Sequence, residues 1–123
     1  MRDEALKSLY SSVAHRVGLP FDVFASALDS WQVIPLKQAD TIIGGVIVKG
    51  NEIHVGYGIA PTASIMPHIR TTLNALIQKH GFVVTKVCET NMRGLRFCKR
   101  LGFVETGRDS RTIHLRCNRS NYE

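Results

Sequence analysis

The segment from residue 41 to residue 60 constrains the fold more than any other part of the sequence. Residues 41–49, TIIGGVIVK, form a strongly apolar run that predicts a strand, although its two glycines weaken it. The KGN sequence at 49–51 is typical of a tight turn. Residues 52–60, EIHVGYGIA, alternate between apolar side chains and polar or small ones, which predicts a second strand after that turn.

A further strand is predicted before this hairpin, at residues 31–37, WQVIPLK. Pro35 has no N–H to donate to a neighbouring strand, so the segment is expected at the edge of the sheet. The three strands are expected to form an antiparallel meander. Three more strands are predicted later in the chain, at residues 82–89, 103–107 and 111–117.

Helical periodicity and end signals predict four helices, at residues 3–17, 20–29, 64–81 and 91–101. Asp3, Ser64 and Asn91 are expected to cap the first, third and fourth of them. Along the first helix, five side chains fall on one side and are expected to face the core: Leu6, Tyr10, Val13, Ala14 and Val17.

The resulting order of elements is α-α-β-β-β-α-β-α-β-β. It predicts an α+β fold in which helices flank a mixed, mostly antiparallel sheet. The chain has 123 residues, enough for one core and too few for two, so a single domain over residues 1–123 is expected.

The charge of the chain is uneven. Its net charge is +6, and residues 86–119 hold nine Lys and Arg against Glu89, Glu105 and Asp109. Such a surface suits an anionic partner, which would be a nucleotide-like cofactor, a nucleic acid or an acidic protein. A plain solvated surface explains the same charge and is the default interpretation.

The three cysteines form no CxxC pair, and their odd number indicates reduced thiols in a cytosolic protein rather than a disulfide framework. No apolar run approaches the ~20 residues of a membrane span, so no membrane association is expected. The five histidines are scattered without the spacing of a metal site, and no metal is expected.

The stretch NMRGLRFCKRLGF, residues 91–103, carries the most specific pattern in the sequence. Its distinctive positions are Asn91, Gly94, Phe97, Cys98, Leu101, Gly102 and Phe103. In this pattern, and in its order of helices and strands, the chain resembles the GCN5-related N-acetyltransferase (GNAT) superfamily. It is similar in particular to small, degenerate GNAT-like proteins of tailed bacteriophages.

The resemblance implies transfer of an acetyl group from acetyl-CoA to an amine. It implies a base on the polar face of the strand at 52–60, for which His54 and Glu52 are the candidates. Cys98 stands where the family often has a Tyr that protonates the leaving thiolate. Both residues also have a structural interpretation without a catalytic role. His54 would then be a half-buried strand residue, and Cys98 would be a small buried hydrophobe.

For the cofactor, the resemblance implies that the thioester carbonyl lies near Gly58 and Ile59. Ala63 and Ser64 stand before the helix that faces the cofactor in the family, and Asn91 is implied as a further cofactor contact. The loop PTASIM, residues 61–66, has neither the Arg nor the Gly of the family's usual pyrophosphate loop. Close packing or a bulge explains the strand glycines equally well, and helix capping explains Asn91.

Two other functions stay open from the sequence. One is a catalytically silent GNAT-fold protein that binds a protein partner, or a virion-associated phage protein, with a location in the host cytoplasm or the virion. The other, less favoured, is nucleic-acid binding through a basic hairpin that contains Arg108, Arg111, Arg116 and Arg119.

Overall fold

The computed structural model describes residues 2–59 and 64–118. In this part of the chain the helices are α1 (Arg2–Val17), α2 (Phe21–Ala27), α3 (Met66–His80) and α4 (Met92–Leu101). The strands are β1 (Gln32–Gln38), β2 (Thr41–Lys49), β3 (Glu52–Tyr57), β4 (Val83–Cys88), β5 (Val104–Asp109) and β6 (Thr112–Cys117).

The six strands form one sheet in the order β1-β2-β3-β4-β6-β5. The pairs β1–β2, β4–β6 and β5–β6 are antiparallel, whereas β3 and β4 are parallel and α3 connects them. The predicted α+β fold with a mixed, mostly antiparallel sheet is therefore confirmed.

Element boundaries differ from the predicted ones by a few residues. The bounds of β2 are as predicted, but α3 begins at Met66, two residues later than expected. Asp3 lies within the first turn of α1 rather than capping it, since the helix already includes Arg2. Gly18, with φ of 63°, ends α1, because glycine adopts this left-handed conformation without a steric cost.

The chain forms two compact units, and the first contains residues 1–49 and 54–65. Its core includes Leu6 and Leu9 of α1 and Ile47 of β2, against which partly buried side chains of α2 and β1 pack. The predicted core stripe of α1 is partly wrong, because Val17 is exposed and the buried residues include Ala5 and Leu9. The helix is rotated so that Ala5, Leu9 and Ser12 lie against β2 and β3.

Glycines in β2 and β3 allow α1 and the two strands to approach closely. A Cβ atom at Gly44 would overlap the carbonyl oxygen of Gly56, at a separation that no real Cβ contact tolerates. A Cβ at Gly45 would lie 3.0 Å from Cδ1 of Leu9, and one at Gly56 would lie 2.8 Å from both Cδ2 of Leu9 and Oγ of Ser12. The glycines that weaken these strands in isolation are thus required by the packing.

The second unit contains residues 50–53 and 66–123. Alternate residues of β4 and β6 are buried, and so are the inward side chains of α3 and α4: Val83, Thr85, Val87, Ile113, Leu115, Cys117, Ile69, Leu73, Leu95 and Leu101. Thr85 is the buried polar residue of this group, and its hydroxyl donates a hydrogen bond to the carbonyl oxygen of Ile53 at 2.6 Å. At the end of the sheet order, all six residues of β5 are exposed.

Replacement of Gly44 by Ala tests the packing role of the strand glycines. Because the new Cβ would overlap the Gly56 carbonyl, we expect the free energy of unfolding to fall by about 1–3 kcal/mol or more. The matched control is Gly107→Ala in β5, where an added Cβ meets nothing within 4 Å and a change within about 0.5 kcal/mol is expected. Urea denaturation measures both, and equal effects of the two substitutions would contradict this role.

Candidate functional site

The backbone N–H groups at the end of β3 already have partners in the first unit. The N–H of Gly58 donates to the carbonyl oxygen of Ile43 at 2.9 Å and to Oγ of Ser8 at 3.0 Å. The N–H of Ile59 donates to the same Ile43 oxygen at a longer 3.3 Å. Of the two groups predicted to polarise a thioester carbonyl, Ile59 therefore has the weaker existing bond, and its side chain is 51% exposed.

Gly58 is required at its position by α1. A Cβ there would lie 2.8 Å from the carbonyl oxygen of Ser8 and 3.0 Å from Cβ of Ser11. The Ser8 hydroxyl also donates to the Ile43 carbonyl at 2.5 Å, so this serine joins α1 to both strands. Sequence reasoning missed Ser8, because only the pairing of α1 with a strand some 50 residues away gives it a role. The structure therefore shows close packing at Gly58, which is the structural explanation for a glycine at this position.

The two candidate bases lie on β3 but belong to different units. His54, in the first unit, is half-buried, and its ring lies 5.7 Å from that of Trp31 between centroids, tilted by 55°. Glu52, in the second unit, is half-buried and pairs with Val84 of β4 in the parallel register. Their assignment as bases stays a prediction.

The loop before α3 is described only in part. Ala63, predicted to contact the cofactor, lies outside the described residues. Ser64 is exposed, and the next two side chains, Ile65 and Met66, are 6% and 8% exposed. The bulky residues of the loop are thus buried, and Ser64 is left at the surface.

Asn91 caps α4 in the second unit, as predicted. Its Oδ1 accepts a hydrogen bond from the N–H of Gly94 at 3.0 Å, and a Cβ at Gly94 would lie 2.5 Å from Nδ2 of Asn91. Within residues 2–59 and 64–118, the only bond of the Asn91 side chain is this cap, so its Nδ2 donates to no described residue. The side chain thus caps the helix through Oδ1, and the N–H groups of its Nδ2 can donate to a further partner.

The other end of α4 forms a Schellman motif. The N–H of Phe103 donates to the carbonyl oxygen of Cys98 at 3.0 Å, and that of Gly102 donates to the carbonyl oxygen of Lys99 at 3.1 Å. Gly102 has φ of 112° and the Phe103 side chain is 4% exposed. The pattern LGF at the end of this helix is therefore explained by helix termination and packing.

Cys98 sits in an environment that keeps its thiol protonated. Burial raises the pKa of the Cys98 thiol to about 11, and the neighbouring Cys117 contributes a smaller increase. The ordinary pKa of a cysteine thiol is about 9.0, so a proton would move uphill from Cys98 to a leaving thiolate by roughly 3 kcal/mol. The environment suits the structural explanation of Cys98 better than a role as acid.

Within the described part of the chain, no group of three or more His, Cys, Asp or Glu side chains is arranged to hold a metal ion. None of the helices described there has the length and apolar character that crossing a membrane requires.

The pKa of Cys98 predicts how stability depends on pH. Since the folded thiol has the higher pKa, the unfolded chain loses its proton first, and stability is lost as pH rises from about 9 to about 11. Over this window we expect the free energy of unfolding of the Cys98→Ala variant to fall less steeply than that of the native chain, by about 1.4 kcal/mol per pH unit. Urea denaturation at several pH values measures the two slopes, and equal slopes would contradict the buried thiol.

Comparison with known proteins identifies the fold alone. No family model matches the chain, and no curated protein matches it. Among solved structures, the chain is similar to the crystal structure of PH1933 from Pyrococcus horikoshii OT3, with a TM-score of 0.72. The match covers 98% of this chain and 94% of that one at 15% sequence identity.

Proposed function

We propose that the chain is a small GNAT-type N-acyltransferase that moves an acetyl group from acetyl-CoA to an amine. The observation that carries the proposal is the sheet order. Among the strand pairs described, β3–β4 is the one parallel pair, and α3 connects its two strands. The carboxyl end of such a strand leads to a helix N-terminus, where backbone N–H groups bind phosphate. This arrangement suits the pyrophosphate of a nucleotide-like cofactor.

In the proposed reaction, the amine nitrogen attacks the thioester carbonyl carbon. A C–N bond forms, the C–S bond breaks, the amine loses a proton and the departing thiolate gains one. Negative charge builds on the carbonyl oxygen, which needs a donor from the backbone. Ile59 is the better candidate for this donor than Gly58, because its N–H has only the 3.3 Å bond to give up.

His54 is the proposed base, since an imidazole accepts protons efficiently near neutral pH. Glu52 is the second candidate. The raised pKa of Cys98 makes it a poor donor to the thiolate, so the proposal takes that proton from solvent. Asn91 would use its Nδ2 amide to hold the cofactor while its Oδ1 keeps capping α4.

The competing proposal is a catalytically silent protein of the same fold that binds a protein partner, including a virion-associated one. It is supported by the PTASIM loop, which lacks Gly and Arg, and by the existing bonds of the Gly58 and Ile59 N–H groups. For the enzyme we propose a cytoplasmic location, because an odd number of cysteines with no CxxC pair suits reduced thiols. For the silent protein the proposed location is the host cytoplasm or the virion.

The cofactor role of Asn91 is separable from its capping role. Ser caps a helix as well as Asn does but lacks the amide donor, so Asn91→Ser should keep the thermal midpoint and weaken acetyl-CoA binding about 10-fold. Asn91→Ala should weaken acetyl-CoA binding in the same way and should also lose the helix cap, which costs about 1 kcal/mol of stability. Isothermal titration and thermal denaturation measure the two properties. No binding by the native chain at millimolar acetyl-CoA would reject the enzyme and leave the silent protein.

The proposed base is tested with an amine acceptor panel and detection of the released thiol. His54→Gln should lower kcat/KM at least about 100-fold while the thermal midpoint stays near that of the native chain. The matched control is His114→Gln, a second half-buried strand histidine, for which less than a two-fold change is expected. Equal effects of the two substitutions would remove His54 from the mechanism.

A further inference from the structure

The positive charge of the chain is concentrated in one of its two units. Among residues 2–59 and 64–118, the first unit has five Lys and Arg against five Asp and Glu, and is neutral. The second has ten Lys and Arg against four Asp and Glu, which equals the whole excess of six. Such asymmetry between parts of a chain indicates an anionic partner for the basic part.

Within the second unit, α4 carries the densest group of cations. Its ten residues include four cations and no acid: Arg93, Arg96, Lys99 and Arg100. At 100° per residue, all four fall within about 120° of the helix circumference, opposite the buried Leu95 and Leu101. All four side chains are exposed, and together they are called the basic face of α4 here.

The N-terminal part of the basic face is unfavourable for the helix that carries it, whereas Lys99 and Arg100 lie in the last turn, where the helix dipole favours cations. Arg93 lies in the first turn, where the helix dipole favours an acid, and Arg96 and Arg100 are like charges spaced i, i+4. In the part of the chain that the structure describes, Arg93 and Arg96 form no ion pair. For Arg93 and Arg96, the described chain thus supplies no ion pair that offsets their unfavourable charge, which is typical of a functional surface.

We propose that the basic face of α4 binds the phosphate backbone of a nucleic acid. Three of its four cations are arginines, whose planar guanidinium groups bind phosphate oxygens through paired hydrogen bonds. The stripe from Arg93 through Arg96 to Arg100 is about 10 Å long, the rise of about three nucleotides along a strand. The partner is therefore identified by its regular row of negative charges.

An acidic protein is a poorer fit to this surface. Protein interfaces have apolar or aromatic centres from which charges are depleted, whereas nucleic-acid interfaces are polar and strongly positive. The exposed apolar side chain on this face is Met92, at 52% exposure, at its N-terminal end rather than its centre. The proposal uses residues outside the acyl-transfer site and does not depend on that function.

The test measures fluorescence anisotropy of labelled single strands and duplexes of about 20 nucleotides with the full chain, between about 50 and 200 mM KCl. The native chain should bind both, with affinity falling steeply as salt rises. Arg93→Gln combined with Arg96→Gln removes two phosphate contacts from a helix that still accepts Gln readily. We expect binding at the lowest salt to weaken at least about 10-fold and the log–log salt slope to drop by about 1.4 for single strands and about 1.8 for duplexes.

The matched control is Lys7→Gln combined with Lys49→Gln, which removes the same charge from exposed positions of the first unit. This variant should bind within about two-fold of the native chain, and circular dichroism should show both variants folded. Three results would overturn the proposal: no salt-dependent binding, equal weakening by the two double variants, or equally tight binding of poly-L-glutamate. The last would indicate an acidic protein partner instead.

Discussion

The packing of α1 on the glycines of β2 and β3 is the constraint on which the first unit depends. A Cβ at Gly45 would lie 3.0 Å from Cδ1 of Leu9, and one at Gly56 would lie 2.8 Å from Cδ2 of the same leucine. Ser8 then joins the helix to both strands, since its hydroxyl donates to Ile43 and accepts from the Gly58 N–H. A glycine in a strand loses more conformational entropy on folding than other residues do. This cost is offset here by the contact of α1 with the strand backbone itself.

This contact and the proposed chemistry compete for the same atoms. Acyl transfer needs a backbone donor near the end of β3, and the packing has already given the N–H of Gly58 two acceptors. The Ile59 N–H shares one of those acceptors at 3.3 Å, a length at which hydrogen bonds are weak. If the chain is an enzyme, binding of a thioester exchanges this weak bond for one to the developing oxyanion.

The parts of the fold that depend on neighbours in sequence were predictable. Asn91 and Gly102 mark the two ends of α4 through hydrogen bonds to residues a few positions away. The strand β2 could be identified from its apolar run alone, without knowledge of the strands that pair with it. The parts that depend on distant residues were not. The face of α1 was assigned from apolar spacing, which favoured Val17, whereas the residues that lie against the strand glycines are Ala5, Leu9 and Ser12. The burial of Cys98 was foreseen as the structural explanation of that residue, whereas the increase in its pKa also depends on a residue distant in sequence, Cys117.

The helix α4 and the residues at its two ends include two sets of side chains with different roles. The positions that carry the family resemblance cap the helix, end it or pack inward, as Asn91, Leu101 and Phe103 do. They explain a fold, because each of them makes a contact within the second unit. The arginines at 93 and 96 stand between those positions and make no ion pair in the described chain. The fold does not need these two arginines, and their charges are unfavourable for the helix, so they are the residues on which the proposed nucleic-acid binding rests.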